Sequence, residues 1–182
     1  MTTFYLSANW SRREEMSSHA ADLEGLGYRV QARWLAGEEQ VHGHEAVRAV
    51  EGDGPIPLAA ARLFAEDDLV DLLAADVFLA FTDPKVTNKL RGGRHVEYGI
   101  ALGLRQAKRN APILVTIGRA ENVFHALADK NFATWGEFAP HLHEVAMPLL
   151  TNGVLRQSRS AGGAPADKGA KAWLDRSGRL VA

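Results

Sequence analysis

Val77-Phe78-Leu79-Ala80-Phe81 is a run of five side chains without a polar atom, closed on one side by Asp76 and on the other by Thr82-Asp83-Pro84. A run this short and this uniformly apolar fits a strand covered on both faces, because a half-solvated strand would alternate with polar residues. Strands covered on both faces belong to parallel sheets sandwiched between helices. The flanking segments agree with that architecture. Thr3 to Ser7 is a first β-type run, Ser11 is a candidate N-cap for a helix reaching about Leu26, and Gly25-Leu26-Gly27 is a helix stop. A second strand is expected over Tyr28–Trp34, a helix over Leu58–Ala75, a helix over Arg94–Arg109 and a fourth strand over Pro112–Ile117, ended by Gly118. Phe132 to Trp135 reads as a short fifth strand and 136–150 as a last helix. Strands alternating with helices predict an α/β fold, a mostly parallel, doubly wound sheet of about five strands in the flavodoxin-like order 2-1-3-4-5. Ligands of such sheets bind outside the carboxyl ends of the strands.

The chain has 182 residues, 46% of them hydrophobic, which is enough for one globular core. We expect a catalytic domain over 1–155 and a flexible basic tail over 156–182. Residues 35–57 hold four glycines and two prolines among charges and read as a long lid or specificity loop. Charge is divided unevenly: residues 156–182 carry a net +4, and residues 1–155 a net −5. An acidic body argues against nucleic acid as a partner, since such binding is dominated by Lys and Arg neutralising phosphates. Cysteine is absent, which excludes disulfides and thiolate metal sites, and the N-terminal residues lack the plan of a signal peptide. A cytoplasmic location is expected. No apolar run approaches the ~20 residues needed to cross a bilayer, so no membrane partner is expected.

Three acids stand where local patterning does not call for them. On a helix after Gly93, Glu97 shares a face with Ile100, Ala101 and Leu104, so a carboxylate is set into an apolar stripe. Such placement is costly unless the anion is used, although a Glu in a first turn also gains from the helix dipole. Gly92 and Gly93 before it allow a ligand to approach the backbone closely. Asp68 shares a face with Ala61, Phe64, Leu72 and Ala75, whereas Glu66 and Asp67 fall elsewhere and read as solvated. Asp83 follows the buried strand directly, where it is either a site acid or the turn residue that Asp-Pro favours. Several carboxylates around one cleft suit glycosidic chemistry: one attacks the anomeric carbon, and another, Asp68 or Asp83, protonates the leaving group. Trp10, beyond the first strand, offers a face for a nucleobase or packs as an ordinary aromatic.

Other motifs exclude rather than suggest. His42-Gly43-His44-Glu45 has no closed zinc spacing, so no metal is expected. His95 points about 200° from Glu97 around a helix and reads as structural or rim. No Walker motif and no G-x-G-x-x-G follows a strand, which disfavours NTPases and dinucleotide oxidoreductases, and no cofactor is expected. A flavin protein is disfavoured by the lack of a Ser/Thr-rich loop after the first strand. A nucleotide-binding sensor without chemistry stays open.

Four segments, in order, resemble the nucleoside 2-deoxyribosyltransferase family and its relatives, the 2'-deoxynucleoside 5'-monophosphate N-glycosidases. Phe4-Tyr5-Leu6-Ser7-Ala8-Asn9-Trp10 looks like the family's first strand and loop, Asp67-Asp68-Leu69 like its base-contacting segment, Gly92 to Gly99 like its nucleophile motif, and Glu121-Asn122-Val123 like its Asn segment. The resemblance covers about residues 3–150. It implies Glu97 as nucleophile on C1' of the sugar, Tyr5 orienting Glu97, Asp68 binding and protonating the base, and Trp10 against the base. Ser7, Asn9, Asp83, Gly92, Gly93 and Arg94 would surround the substrate, with Arg91 and Arg94 able to grip a 5'-phosphate. It further implies a homo-oligomer in which Asn122 reaches a neighbouring subunit's site and holds the sugar 5'-hydroxyl. The partners implied are a nucleoside or nucleotide and a free nucleobase.

Overall fold

The computed structural model describes residues 1–36, 58–82, 93–107 and 111–146. Residues 1–149 group into one compact unit. The expected loop at 35–57 (past Ala36), the site candidates Asp83, Arg91 and Gly92, the cluster at His42–Glu45 and the basic tail all lie outside the described residues.

Five strands pair in one all-parallel sheet in the order β2-β1-β3-β4-β5, where β1 is Thr3–Ser7, β2 Arg29–Val30, β3 Val77–Phe81, β4 Ile113–Ile117 and β5 Lys130–Phe132. This is the expected α/β, flavodoxin-like order. Every residue of β1 and β3 is buried, which is what their uninterrupted pattern demands of strands in the middle of a covered sheet. The register sets Tyr5 beside Phe78 and Ser7 beside Ala80. Because side chains alternate along a strand, Tyr5 and Ser7 lie on one face and Phe4 and Leu6 on the other.

Helix α1, Arg13–Gly25, covers the second of these faces through Met16 and Leu23. His19 of α1 stacks between Phe81 and Trp135, with centroids at 5.4 and 4.1 Å, so α1 and α4, Trp135–Phe138, share that face. Helices α2, Leu58–Ala74, and α3, Gly93–Gln106, pack against each other and against β1. No described helix is long and apolar enough to cross a membrane.

Local signals were displaced in three places. Asn9, not Ser11, is the first cap: its Oδ1 accepts the Ser11 backbone N–H at 3.1 Å, opening a 3-10 turn over Trp10–Arg12 before α1 begins. The second strand is two residues long rather than seven, because the chain turns away at Arg33–Leu35, where Trp34 is buried with its indole N–H on the Leu6 carbonyl at 2.8 Å. Near the C-terminus, β5 ends at Phe132, and Thr134 caps a helix that already includes Trp135. The last helical segment is interrupted by a 3-10 turn over Ala139–His141 and resumes at 142–146.

Candidate active site

β1 and the N-terminal half of α3 bring the chemistry together. The Ser7 hydroxyl, on the last residue of β1, donates to Glu97 Oε2 at 2.5 Å, across 90 residues of sequence. Tyr5, two residues earlier on the same face, is fully buried, and its hydroxyl lies close to the Glu97 carboxyl but outside strict hydrogen-bonding geometry. It lies near enough to Glu97 that each alters the other's ionisation. A buried hydroxyl left unsatisfied is rare, and here it faces a carboxylate. Burial, followed by the charges of Glu97, Asp68 and Asp71, raises Tyr5 well above its ordinary value, so it remains a phenol able to donate.

Glu97 is itself raised by burial, while the hydroxyls of Ser7 and Tyr5 pull it back. Asp68, on the adjacent α2, is raised to about 7, by burial first and then by the charges of Glu97, Asp71 and Asp67, with Arg33 opposing. Glu97's negative charge is thus a reason for Asp68 to keep its proton. Both acids are raised, but Glu97 is given a donated hydrogen bond by Ser7, whereas Asp68, at about 7, can hold or release a proton near neutrality. That division is the arrangement in which one carboxylate attacks and another delivers a proton. Asp68 Oδ1 is buried without a hydrogen-bond partner, as suits a group awaiting a ligand.

The other candidates fall into two groups. Asn9 is half-buried in its capping role. Trp10 is half-buried, tilted against Trp34 with centroids 6.2 Å apart, and carries the Arg13 guanidinium over its ring at 5.2 Å. Gly93 opens α3. Arg94 is buried, and its Nη2 donates to Glu121 Oε1 at 2.8 Å, so its charge is opposed within the chain. Asn122 caps the 3-10 turn Val123–Leu127, its Oδ1 accepting the Phe124 N–H at 2.9 Å, and its Nδ2 lies 3.3 and 3.2 Å from ring nitrogens of His95 and His125. Both histidines belong to its own chain.

A small cavity beside the sheet ends is lined by Ser7, Ala80, Phe81, Thr82, Arg94, His95, Tyr98, Glu121 and His125. Ser7 connects it to the Glu97 carboxyl, which is not itself part of its wall. His95, Glu121 and His125 present atoms within 4.8 Å of one another and could in principle share a cation. The Asn122 amide between the rings and the Arg94 cation on Glu121 oppose that use, and the cluster stands as a hydrogen-bonded wall. Burial lowers the His125 pKa, consistent with a neutral ring.

Sequence reading missed three participants. Ser7 entered as a substrate contact, not as a donor to Glu97. Asp71 is completely buried and did not enter at all. Asp67, read as solvated, pairs with Arg33 at 2.5 Å. An acid at 71 one turn beyond Asp68 was the available signal. Comparison of the chain with protein-family models, curated proteins and solved structures returned no match.

Proposed function

We propose that the protein cleaves the N-glycosidic bond of a 2'-deoxynucleoside through a covalent Glu97–deoxyribosyl ester and transfers the sugar to a second base, in the manner of the nucleoside 2-deoxyribosyltransferase family its motifs resemble. The observation that carries this reading is the meeting of Glu97, hydrogen-bonded by Ser7, with the unsatisfied Tyr5 hydroxyl and a proton-retaining Asp68. In the first step Glu97 attacks C1' as the bond to the base nitrogen breaks. The bonding electrons leave with the base, and Asp68 gives that base its proton. In the second step a nitrogen of the incoming base attacks C1', Glu97 departs as a carboxylate, and the incoming base's proton returns to Asp68. Tyr5 and Ser7 hold the carboxyl in its attacking orientation. Water in place of the second base makes the same enzyme a hydrolase. Pairing of Arg94 with Glu121 supports a neutral sugar 5'-hydroxyl over a 5'-phosphate, since that cation is already engaged. The reading includes a homo-oligomer.

Incubating deoxynucleosides and their 5'-monophosphates with and without a free acceptor base, resolved by chromatography, tests it. Exchange of base is expected, with Glu97→Gln lowering turnover on the order of 10³-fold or more. Base release without exchange would assign the hydrolase. Turnover undiminished in Glu97→Gln would refute the nucleophile, and tight binding without product would leave a nucleotide sensor.

A further inference from the structure

Three acids lie within little more than one turn of α2, and one arginine sorts them. Arg33 Nη1 reaches Asp67 Oδ1 at 2.5 Å and its Nη2 reaches the Asp67 carbonyl at 2.9 Å, while Nε meets Asp71 Oδ1 at 2.9 Å. Asp67 and Asp71 are four residues apart and share a helix face, and Asp68 is turned about 100° from Asp67. The arginine is held in this pose from its own backbone. Asp71 Oδ2 accepts the Arg33 N–H at 2.8 Å, Asp71 Oδ1 also accepts from Gln31 Nε2 at 3.1 Å, and the next residue, Trp34, is pinned to β1 by its indole N–H. Asp71 is fully buried and accepts from three donor atoms on Gln31 and Arg33, so its carboxyl is fixed in place. Asp68, in the midst of this, keeps a buried oxygen with no partner.

We infer that the Arg33–Asp71 clamp is a positioning device that assigns the proton-donor role to Asp68: it commits the hydrogen bonds of Arg33, the one described arginine near the acids, to Asp67 and Asp71 and leaves a buried Asp68 oxygen without a donor. The inference rests on the proposed use of Asp68 as the acid that protonates the base. Groups facing Asp68 are Glu97 from α3, Asp67 and Asp71 from its own helix, Arg33 from the turn after β2, and Tyr5 from β1. Two partners of one ion pair therefore act on Asp68 with opposite sign. Removing the Asp71 charge takes away an anion and releases the guanidinium toward Asp68; removing the Arg33 charge takes away the opposing cation.

The test uses the full chain and two readouts, in wild type, Asp71→Asn, Asp67→Asn and Arg33→Gln. Carboxyl-¹³C NMR of aspartate-labelled protein without substrate follows the Asp68 midpoint, and the pH profile of base release follows its alkaline limb. The midpoint is expected to fall in Asp71→Asn and Asp67→Asn and to rise in Arg33→Gln, each by roughly half to one pH unit. The alkaline limb should move the same way. At pH 8, this makes Asp71→Asn about 3- to 10-fold slower than wild type, with a smaller difference at pH 6. If Asp71→Asn does not fold, Asp67→Asn and Arg33→Gln carry the test, because both side chains are half-exposed. Shifts of the same sign in Arg33→Gln and Asp67→Asn, or an unmoved Asp68 in folded variants, would overturn the clamp while leaving base exchange intact. Opposite NMR shifts in a protein that releases no base would uphold the clamp and sink the functional reading instead.

Discussion

At the scale of residues, the site separates two carboxyls by what each is given. Glu97 receives a 2.5 Å hydrogen bond from Ser7, whereas Asp68 receives none at Oδ1. Ser7→Ala removes a charge-assisted hydrogen bond of roughly 1.5–3 kcal/mol, so base release should slow about 10- to 100-fold. Because that hydroxyl lowers Glu97's pKa, its loss should also move the acidic limb of the rate profile to higher pH, as a pH series on the purified variant will read. For Asp68 the consequence falls on stability. Its folded-state value of about 7 lies above the ordinary 3.8, so the group favours folding most at low pH, and that contribution is lost as pH rises from about 4 through 7. Asp68→Asn should therefore gain on wild type between pH 4 and pH 8, by on the order of 1–3 kcal/mol at the alkaline end, in thermal unfolding followed by circular dichroism, while losing activity. Of this constellation, Glu97 and Asp68 were legible as carboxylates on apolar faces. Ser7's part was not, because a hydroxyl at a strand end says nothing about a partner 90 residues away.

Among the elements, the ones best read from sequence are those whose own side chains decide their state. Val77–Phe81 forms β3 over the expected residues, since five apolar side chains in a row have nowhere to go but between layers. Tyr28–Trp34 has a strand-like look, yet tertiary contacts overrule it: Asp71 on α2 takes the Arg33 N–H, and β1 takes the Trp34 indole, so the chain leaves the sheet after Val30. A local pattern cannot contain either partner. The stop after β4 was readable for a backbone reason. Gly118 adopts φ +114°, and a Cβ there would press on the Thr82 side chain at the end of β3. Thr82 is in turn tied to this corner by its N–H on the Ile117 carbonyl at 3.0 Å, and Arg12 donates to the Thr82 carbonyl at 2.7 Å. Gly118→Ala should destabilise the protein by about 1–3 kcal/mol in urea unfolding, and it should disturb activity too, because this corner borders the cavity. Unchanged stability would mean that the corner relaxes at little cost.

At the scale of the molecule, the exposed apolar side chains among the described residues are concentrated on α2, at Leu63, Leu69, Val70 and Leu73, and on the turn at Val123, Phe124 and Leu127. Surface of this kind is what an association between copies would cover, and the homo-oligomer proposed above would place it at an interface. Asn122 lies at the start of that exposed turn, but its amide is spent at home: one end caps Phe124, and the other meets His95 and His125, which line the cavity reached by Ser7. An Asn engaged in this way is held within its own chain, whereas the resemblance would have it reach a neighbour's site. Mixing two impaired variants distinguishes these arrangements. In an oligomer re-formed from Glu97→Gln and Asn122→Ala chains, a cross-subunit Asn would restore some sites with both native residues, and activity would recover several-fold over either preparation. The in-chain hydrogen bonds predict otherwise: the mixture should show only the average of its two components, even where sedimentation shows that the chains have exchanged. Recovery on mixing would require the Asn122 amide to leave His95 and His125 and act across the interface.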